Sequence, residues 1–304
     1  MDGPPVEPDC NFSTSQAYRL AVSCVLVKQD GDSIVAEMTG RQGYSEARFA
    51  DSQQGPEACI GANDRELLVV FRGTDRLKEQ EPDHNLPGML KDWSKNLDYK
   101  PVPGPFGGYV HQGLFRVLID PEGEPTRFWR EVREIIAEYR NNFEPREFWL
   151  TGCSQGAVMA SFAASMFALE EIQISGLYTF GSPCPGDARF AQGLEAALPC
   201  FFRVVHENDL FAKLPPSFLT FGPNVRYAPA GHLIYLKGNA IVTNDDPWKR
   251  FSERARRLVS EIRGVFRTED ADETMREIAK SLSHGLRDHF IESYVDALKR
   301  QVSV

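Results

Sequence analysis

The 304-residue sequence has no apolar run approaching the roughly eighteen residues that cross a bilayer. A protein held in the membrane by such a helix is therefore excluded. Basic residues are in deficit, with 34 Lys and Arg against 43 Asp and Glu and a formal charge of -9. Nucleic acid is then not the expected partner, because affinity for a phosphate backbone comes largely from cations. The six cysteines, Cys10, Cys24, Cys59, Cys153, Cys184 and Cys200, contain no C-x-x-C pair, which argues against a zinc site or a thioredoxin-like redox pair. Most read as buried free thiols. Also missing is a basic start followed by an apolar core: Met1 to Asp9 carries Pro4, Pro5 and Pro8 among acidic residues and does not read as a signal peptide. Cytoplasmic residence is expected, with export by another route left open. No repeat, low-complexity tract or convincing linker divides the chain, so residues 1–304 read as one domain.

What is present is a pentapeptide, Gly152-Cys153-Ser154-Gln155-Gly156, that fits G-x-S-x-G. The spacing recurs by chance in Gly-rich turns, so its setting matters. Before it runs the apolar stretch Glu147-Phe-Trp-Leu-Thr151; after it come Ala157, Val158, Ala160, Ala163, Ala164 and Ala168, small residues suited to a helix packed close on a sheet. Strand, sharp turn and helix make a nucleophile elbow, in which the turn exposes a serine hydroxyl and glycines on either side avoid Cβ clashes. Ser154 is the candidate nucleophile.

Ala21 to Val27, Glu66 to Phe71, Gly176 to Phe180 and Phe201 to Val205 read as further strands, Leu67-Leu-Val-Val-Phe71 being typical of a strand covered on both faces. Phe128, Trp129, Val132, Ile135, Ile136 and Tyr139 recur at helical spacing after Pro125. Strands alternating with helices predict an α/β fold with a mostly parallel central sheet flanked by helices. In such sheets sites collect at the carboxyl ends of strands. The junctions Arg72 to Asp75, Gly152 to Gly156, Gly181-Ser-Pro183 and His206 to Asp209 all follow apolar runs at that end.

A serine needs a histidine to take its proton and a carboxylate to orient that histidine. In α/β-hydrolases they follow in the order Ser, acid, His. Asp209 and His289 stand in that order. Together with Asp51-Ser-Gln-Gln54, Val69 to Asp75, Asp92-Trp93 with Asn96-Leu-Asp98, Val110-His-Gln-Gly113, Tyr178 to Pro183, Arg203 to Asp209 with Leu214-Pro-Pro216, and the Asp-His segment ending at Tyr294, the chain resembles the class 3, or fungal-type, lipases of the α/β-hydrolase superfamily. The resemblance runs from about Ala47 onward. It implies that Ser154 is the nucleophile, Asp209 the orienting acid and His289 the general base, and it places Thr74 in the oxyanion hole. The backbone N–H of Gln155, at a helix N-terminus, suits the second oxyanion donor. The chain departs from the family at Cys153, Gln155 and Ala157, where His, Leu and a second Gly are usual. A backbone donor is indifferent to that change, but Gln155 puts a polar amide beside the acyl pocket.

Other assignments compete. Cys153 is either a nucleophile or a buried thiol. His232 and His284 are rival bases, the first resembling a family histidine that precedes a strand, the second suited to a helix end. Asp187 is a rival acid or a helix N-cap. Thr74 could serve only as a turn cap, while His111 and His206 suit structural roles. Residues 76–91, with Leu86, Met89 and Leu90, read as a lid or as a surface loop with core contacts. The helical region at 248–300 starts with an apolar stripe from Trp248 to Ile262 and a basic face, for a membrane surface or the core.

The expected activity is hydrolysis of carboxylic esters, of glycerolipids in particular, without cofactor or metal. The alternatives are a water-soluble esterase, a phospholipase acting at the first acyl position, and a catalytically inactive lipid-binding or interaction module. The expected partners are a lipid or small ester substrate and a transient lipid surface. Oligomeric state is left open.

Overall fold

The computed structural model describes residues 10–52, 57–73, 98–209, 211–215, 220–243 and 287–302. In chain order its helices are α1 (Thr14–Leu26), α2 (Gly31–Gly40), α3 (Gln112–Leu118), α4 (Arg127–Phe143), α5 (Gln155–Leu169), α6 (Ala188–Ala197) and α7 (Ile291–Val302). The strands of the main sheet are β1 (Glu46–Asp51), β2 (Glu57–Ala62), β3 (Glu66–Phe71), β6 (Glu147–Cys153), β7 (Gly176–Phe180), β9 (Phe201–His206), β11 (His232–Lys237) and β12 (Ala240–Val242). They lie in the order β1-β2-β3-β6-β7-β9-β11-β12. From β3 to β11 every pairing is parallel, with Val70 opposite Thr151, Leu150 opposite Leu177 and Thr179 opposite Arg203. The two outer pairs on the β1 side and the β12 edge are antiparallel. A smaller antiparallel sheet joins β4 (Pro101–Pro103), β5 (Tyr109–His111), β8 (Gly186–Asp187) and β10 (Tyr227–Ala228).

The central strands are apolar throughout because both faces are covered. Along β3, Leu67, Val69 and Phe71 enter one core with Trp129, Val132, Val158 and Phe162, whereas Leu68 and Val70 enter a second with Leu20, Cys24, Ile291 and Tyr294. Helix α4 buries the six residues predicted from its spacing, and the Thr126 side chain caps it by accepting from the Trp129 N–H at 3.2 Å. Helix α5 is buried almost all round, which its alanines permit by letting it lie close on β6 and β7.

One expectation is corrected. Ala21 to Val27 is not a strand: it forms the end of α1, which the Ser13 hydroxyl caps by accepting from the Gln16 N–H. The buried positions Ala17, Leu20, Ala21 and Cys24 follow helical spacing, and that periodicity outweighs a short apolar run. Four cysteines are free and buried, but Cys10 and Cys200 form a disulfide that ties the segment before α1 to the start of β9. Among the described residues no helix is long and apolar enough to cross a membrane. Residues 76–91 and most of 248–300, with the readings attached to them, lie outside the described residues.

Candidate active site

The site is built at the carboxyl ends of β6, β7 and β9. Ser154 is the single residue between β6 and α5, with φ 57° and ψ -124°, a conformation that L-residues seldom adopt and that surrounding structure must impose. Its N–H is fixed to the Phe180 carbonyl at 2.9 Å, and its own carbonyl accepts from the Ala157 N–H at 3.0 Å. The turn closes only with glycines beside it. A Cβ on Gly152 would lie 2.7 Å from the Ala157 nitrogen, and one on Gly156 would strike the Phe71 carbonyl at the end of β3.

The serine hydroxyl, His289 and Asp209 form a continuous chain. Ser154 Oγ is 2.9 Å from Nε2 of His289, and His289 Nδ1 is 2.9 Å from both carboxylate oxygens of Asp209. All three are buried, with relative exposures of 5%, 3% and 0%. Asp209 follows β9 on a short turn and also accepts from the backbone N–H groups of Phe211 at 2.8 Å and Ala212 at 3.2 Å. The Tyr294 hydroxyl, from the second turn region of α7, donates to its other oxygen. Burial pushes the Asp209 carboxyl upward, but the charge and hydrogen bond of His289, with the Tyr294 and Ala212 donors, outweigh it and hold the group below its ordinary 3.8. The aspartate is thus ionised and acceptor-only, so Nδ1 carries the imidazole proton and Nε2 is left to accept from Ser154. Tyr294 stays protonated as the donor, since burial first and the Asp209 charge second raise its phenol well above 10.0.

A second layer joins the loops that carry Asp209 and His289. Asn208 N–H donates to Oδ2 of Asp288 at 3.0 Å, and Nδ1 of His206 is 3.3 Å from the Asp288 carbonyl. The phenyl ring of Phe211 lies on the His289 imidazole, with centroids 4.2 Å apart and planes at 33°. Helix α7, just after His289, packs on α1, β9 and β11, and Lys28 pairs with Glu292 at 3.6 Å.

The structure therefore brings Ser154, Asp209 and His289 together. Gln155 opens α5, where first-turn backbone N–H groups point past the helix end. Thr74 and His284 lie outside the described residues. Asp187 caps α6, its side chain accepting from the Phe190 N–H at 2.9 Å. His232 begins β11 and is exposed, and His111 is buried on β5 against Tyr99 and Phe162. Burial, reinforced by Cys24, raises the Cys153 thiol well above 9.0, so it is a neutral core group. Tyr294, Phe211 and Asp288 were given no role by sequence reasoning. Asp288 and Tyr294 had a signal, as the first and last residues of the Asp-His motif, and Phe211 had none. Among the described residues no group of three or more His, Cys, Asp or Glu could hold a metal ion.

Residues 68–219, half of the chain, match the family model described as Lipase (class 3). The chain belongs to the class 3 lipases. It is 28% identical over 156 residues to Lipase ZK262.3 of Caenorhabditis elegans, covering 50% of this chain and 38% of that protein. It is 23% identical over 224 residues to the secreted mono- and diacylglycerol lipase 1 of Fusarium solani, covering 70% of this chain and 56% of that one. This class 3 lipase thus spans less than two thirds of either relative's own length. Among solved structures it resembles the Rhizomucor miehei lipase–propeptide complex, with a TM-score of 0.54 and 20% identity over 76% of this chain and 71% of that one. That likeness shows the α/β-hydrolase fold.

Proposed function

We propose that this class 3 lipase is a serine hydrolase of carboxylic esters that acts on glycerolipids through an acyl-enzyme, with Ser154 as nucleophile, His289 as general base and Asp209 as orienting acid. The observation that carries the reading is the unbroken hydrogen-bond chain from Ser154 Oγ through His289 to a buried, ionised Asp209. As Ser154 Oγ bonds to the ester carbonyl carbon, its proton passes to Nε2 and the carbonyl π pair moves to oxygen. Collapse of that intermediate expels the alcohol, which takes the proton from Nε2. Water then enters by the same route and releases the acid, restoring the serine. The Gln155 N–H and Thr74 are the proposed donors to the oxyanion, and removing one such donor typically costs about 3 kcal/mol.

The polar Gln155 side chain at the elbow supports the alternative of a water-soluble esterase or a phospholipase acting at the first acyl position, within the same chemistry. Chain-length profiling above and below substrate aggregation separates them: no rate increase at aggregation argues against a lipase with a working lid. For the setting of the protein, the Cys10–Cys200 bond supports an exported, oxidising location over the cytoplasm, where thiols are kept reduced. The test of the main reading is Ser154→Ala on a nitrophenyl butyrate. Parental turnover in that variant would falsify the assignment, and failure of a fluorophosphonate to label Ser154 in the parent would point to the inactive binding module.

A further inference from the structure

We propose that Phe211 is a positioning residue whose ring face stabilises His289 in the charged form it takes during turnover. The proposal rests on His289 being the general base. Phe211 opens the short 3-10 turn Phe211–Lys213 directly after the acid loop, and it is fully buried in the same core as Val158 and Phe162. One residue thereby fixes both partners. Its backbone N–H holds Oδ1 of Asp209 at 2.8 Å, and its ring covers the imidazole at 4.2 Å.

An aromatic face carries partial negative charge and attracts a cation within about 6 Å of its centroid, more strongly where water is excluded. On the proposed mechanism His289 gains a proton at Nε2 as the Oγ–H bond of Ser154 breaks. The attraction is therefore greater in the transition state than in the resting enzyme, so it raises kcat and leaves KM little changed. A leucine would supply similar packing without the electrostatic face. Among the described residues, Ser154 from the elbow and Asp209 from the acid loop hydrogen-bond the imidazole, while Tyr294 from α7 bonds to Asp209 and the His206–Asp288 pair joins the adjoining loops. None of them changes when the ring alone is altered.

The experiment replaces Phe211 with mono-, di- and trifluorinated phenylalanine in the full chain, a nearly isosteric series that drains the ring face. The expected result is a stepwise fall in kcat with constant KM and constant thermal stability, reaching between about 3-fold and about 30-fold. Phe211→Leu falls by a similar factor. A flat kcat series overturns the proposal. Ser154→Ala is measured beside it: if that variant is inactive while the fluorinated series is flat, the hydrolase reading stands and only the role of Phe211 fails. Should the parent show no turnover, the midpoint pH of the His289 imidazole resonance in NMR titrations decides. A midpoint that falls with each added fluorine supports the ring–cation contact, and a constant one overturns it.

Discussion

Tyr294 donates its hydroxyl to the same Asp209 carboxylate that holds His289, and it does so from the helix that begins two residues after that histidine. Asp209 and His289 are thus registered to each other by a third side chain. Tyr294→Phe removes one of the donors that depress Asp209. A carboxyl whose folded value is lowered adds stability above its unfolded value near 3.8, and that contribution is lost as pH falls through the folded value. With Tyr294 gone the folded value rises toward the unfolded one, so the variant is less stable than the parent at pH 7 and loses less on acidification, the gap between the two narrowing toward pH 3. Urea denaturation between pH 7 and pH 3 checks this, and coincident profiles would refute it. The kcat is expected to drop about tenfold, the loss of one hydrogen bond to a charged group.

Gly181 sits at φ +57° directly beneath the Asp209–His289 pair. A Cβ there would lie 2.6 Å from Oδ2 of Asp209, 3.0 Å from Nδ1 of His289 and 3.1 Å from the Tyr294 hydroxyl. Gly181→Ala must therefore push the carboxylate away or strain the turn. We expect at least a hundredfold loss of kcat, because angstrom-scale displacement of reacting groups has that effect. Fluorophosphonate labelling of Ser154 should slow in parallel; labelling at the parental rate would show that the site absorbs the methyl group.

At the opposite ends of the strands, Glu66 opens β3 and accepts from Arg19 Nη2 at 2.8 Å and from the Tyr44 hydroxyl at 2.7 Å. Glu66→Ala leaves the buried Tyr44 hydroxyl and the half-buried Arg19 without their carboxylate, a change expected to destabilise by about 1–3 kcal/mol. Because this cluster lies at the amino ends, kcat on a short ester should stay within about twofold wherever the variant is folded. A large loss of kcat with unchanged stability would contradict this separation.

The cysteines give a count that can be checked. Cys24, Cys59, Cys153 and Cys184 are buried, and burial pushes the Cys24 and Cys59 thiols up to about 12. Native protein should react with no equivalents of Ellman's reagent within minutes, and protein unfolded without reductant should react with four. Six equivalents on unfolding would rule out the Cys10–Cys200 bond. Breaking it with reductant should lower stability by about 2–4 kcal/mol.

The parts legible in sequence were those governed by local rules. The elbow could be read because a strand, a strained turn and a close-packed helix each leave a mark within a few residues: apolar run, flanking glycines, alanines. The order of Asp209 and His289 narrowed the partners, though only the fold brings groups 135 and 80 residues apart into hydrogen-bond contact. Local reading failed where tertiary packing chose between two local forms. Ala21 to Val27 is as apolar as a strand, and its place in α1 is visible only when Ala17 and Leu20 are counted with it. The ring of Phe211 on His289 and the bond between Cys10 and Cys200 leave no local pattern at all, because each is made by residues that the sequence keeps far apart.

That the histidine reaches the serine from 135 positions further along the chain also has a meaning in time. Synthesis proceeds at about 5–20 residues per second, so Ser154 is added roughly 7–27 s before His289, its proposed base. Over that interval Ser154 is an ordinary alcohol beside a nascent sheet. On the proposed roles the growing chain has no base for its serine until the segment that carries His289 folds back onto β9, so the activation of Ser154 would arrive with the completion of the fold.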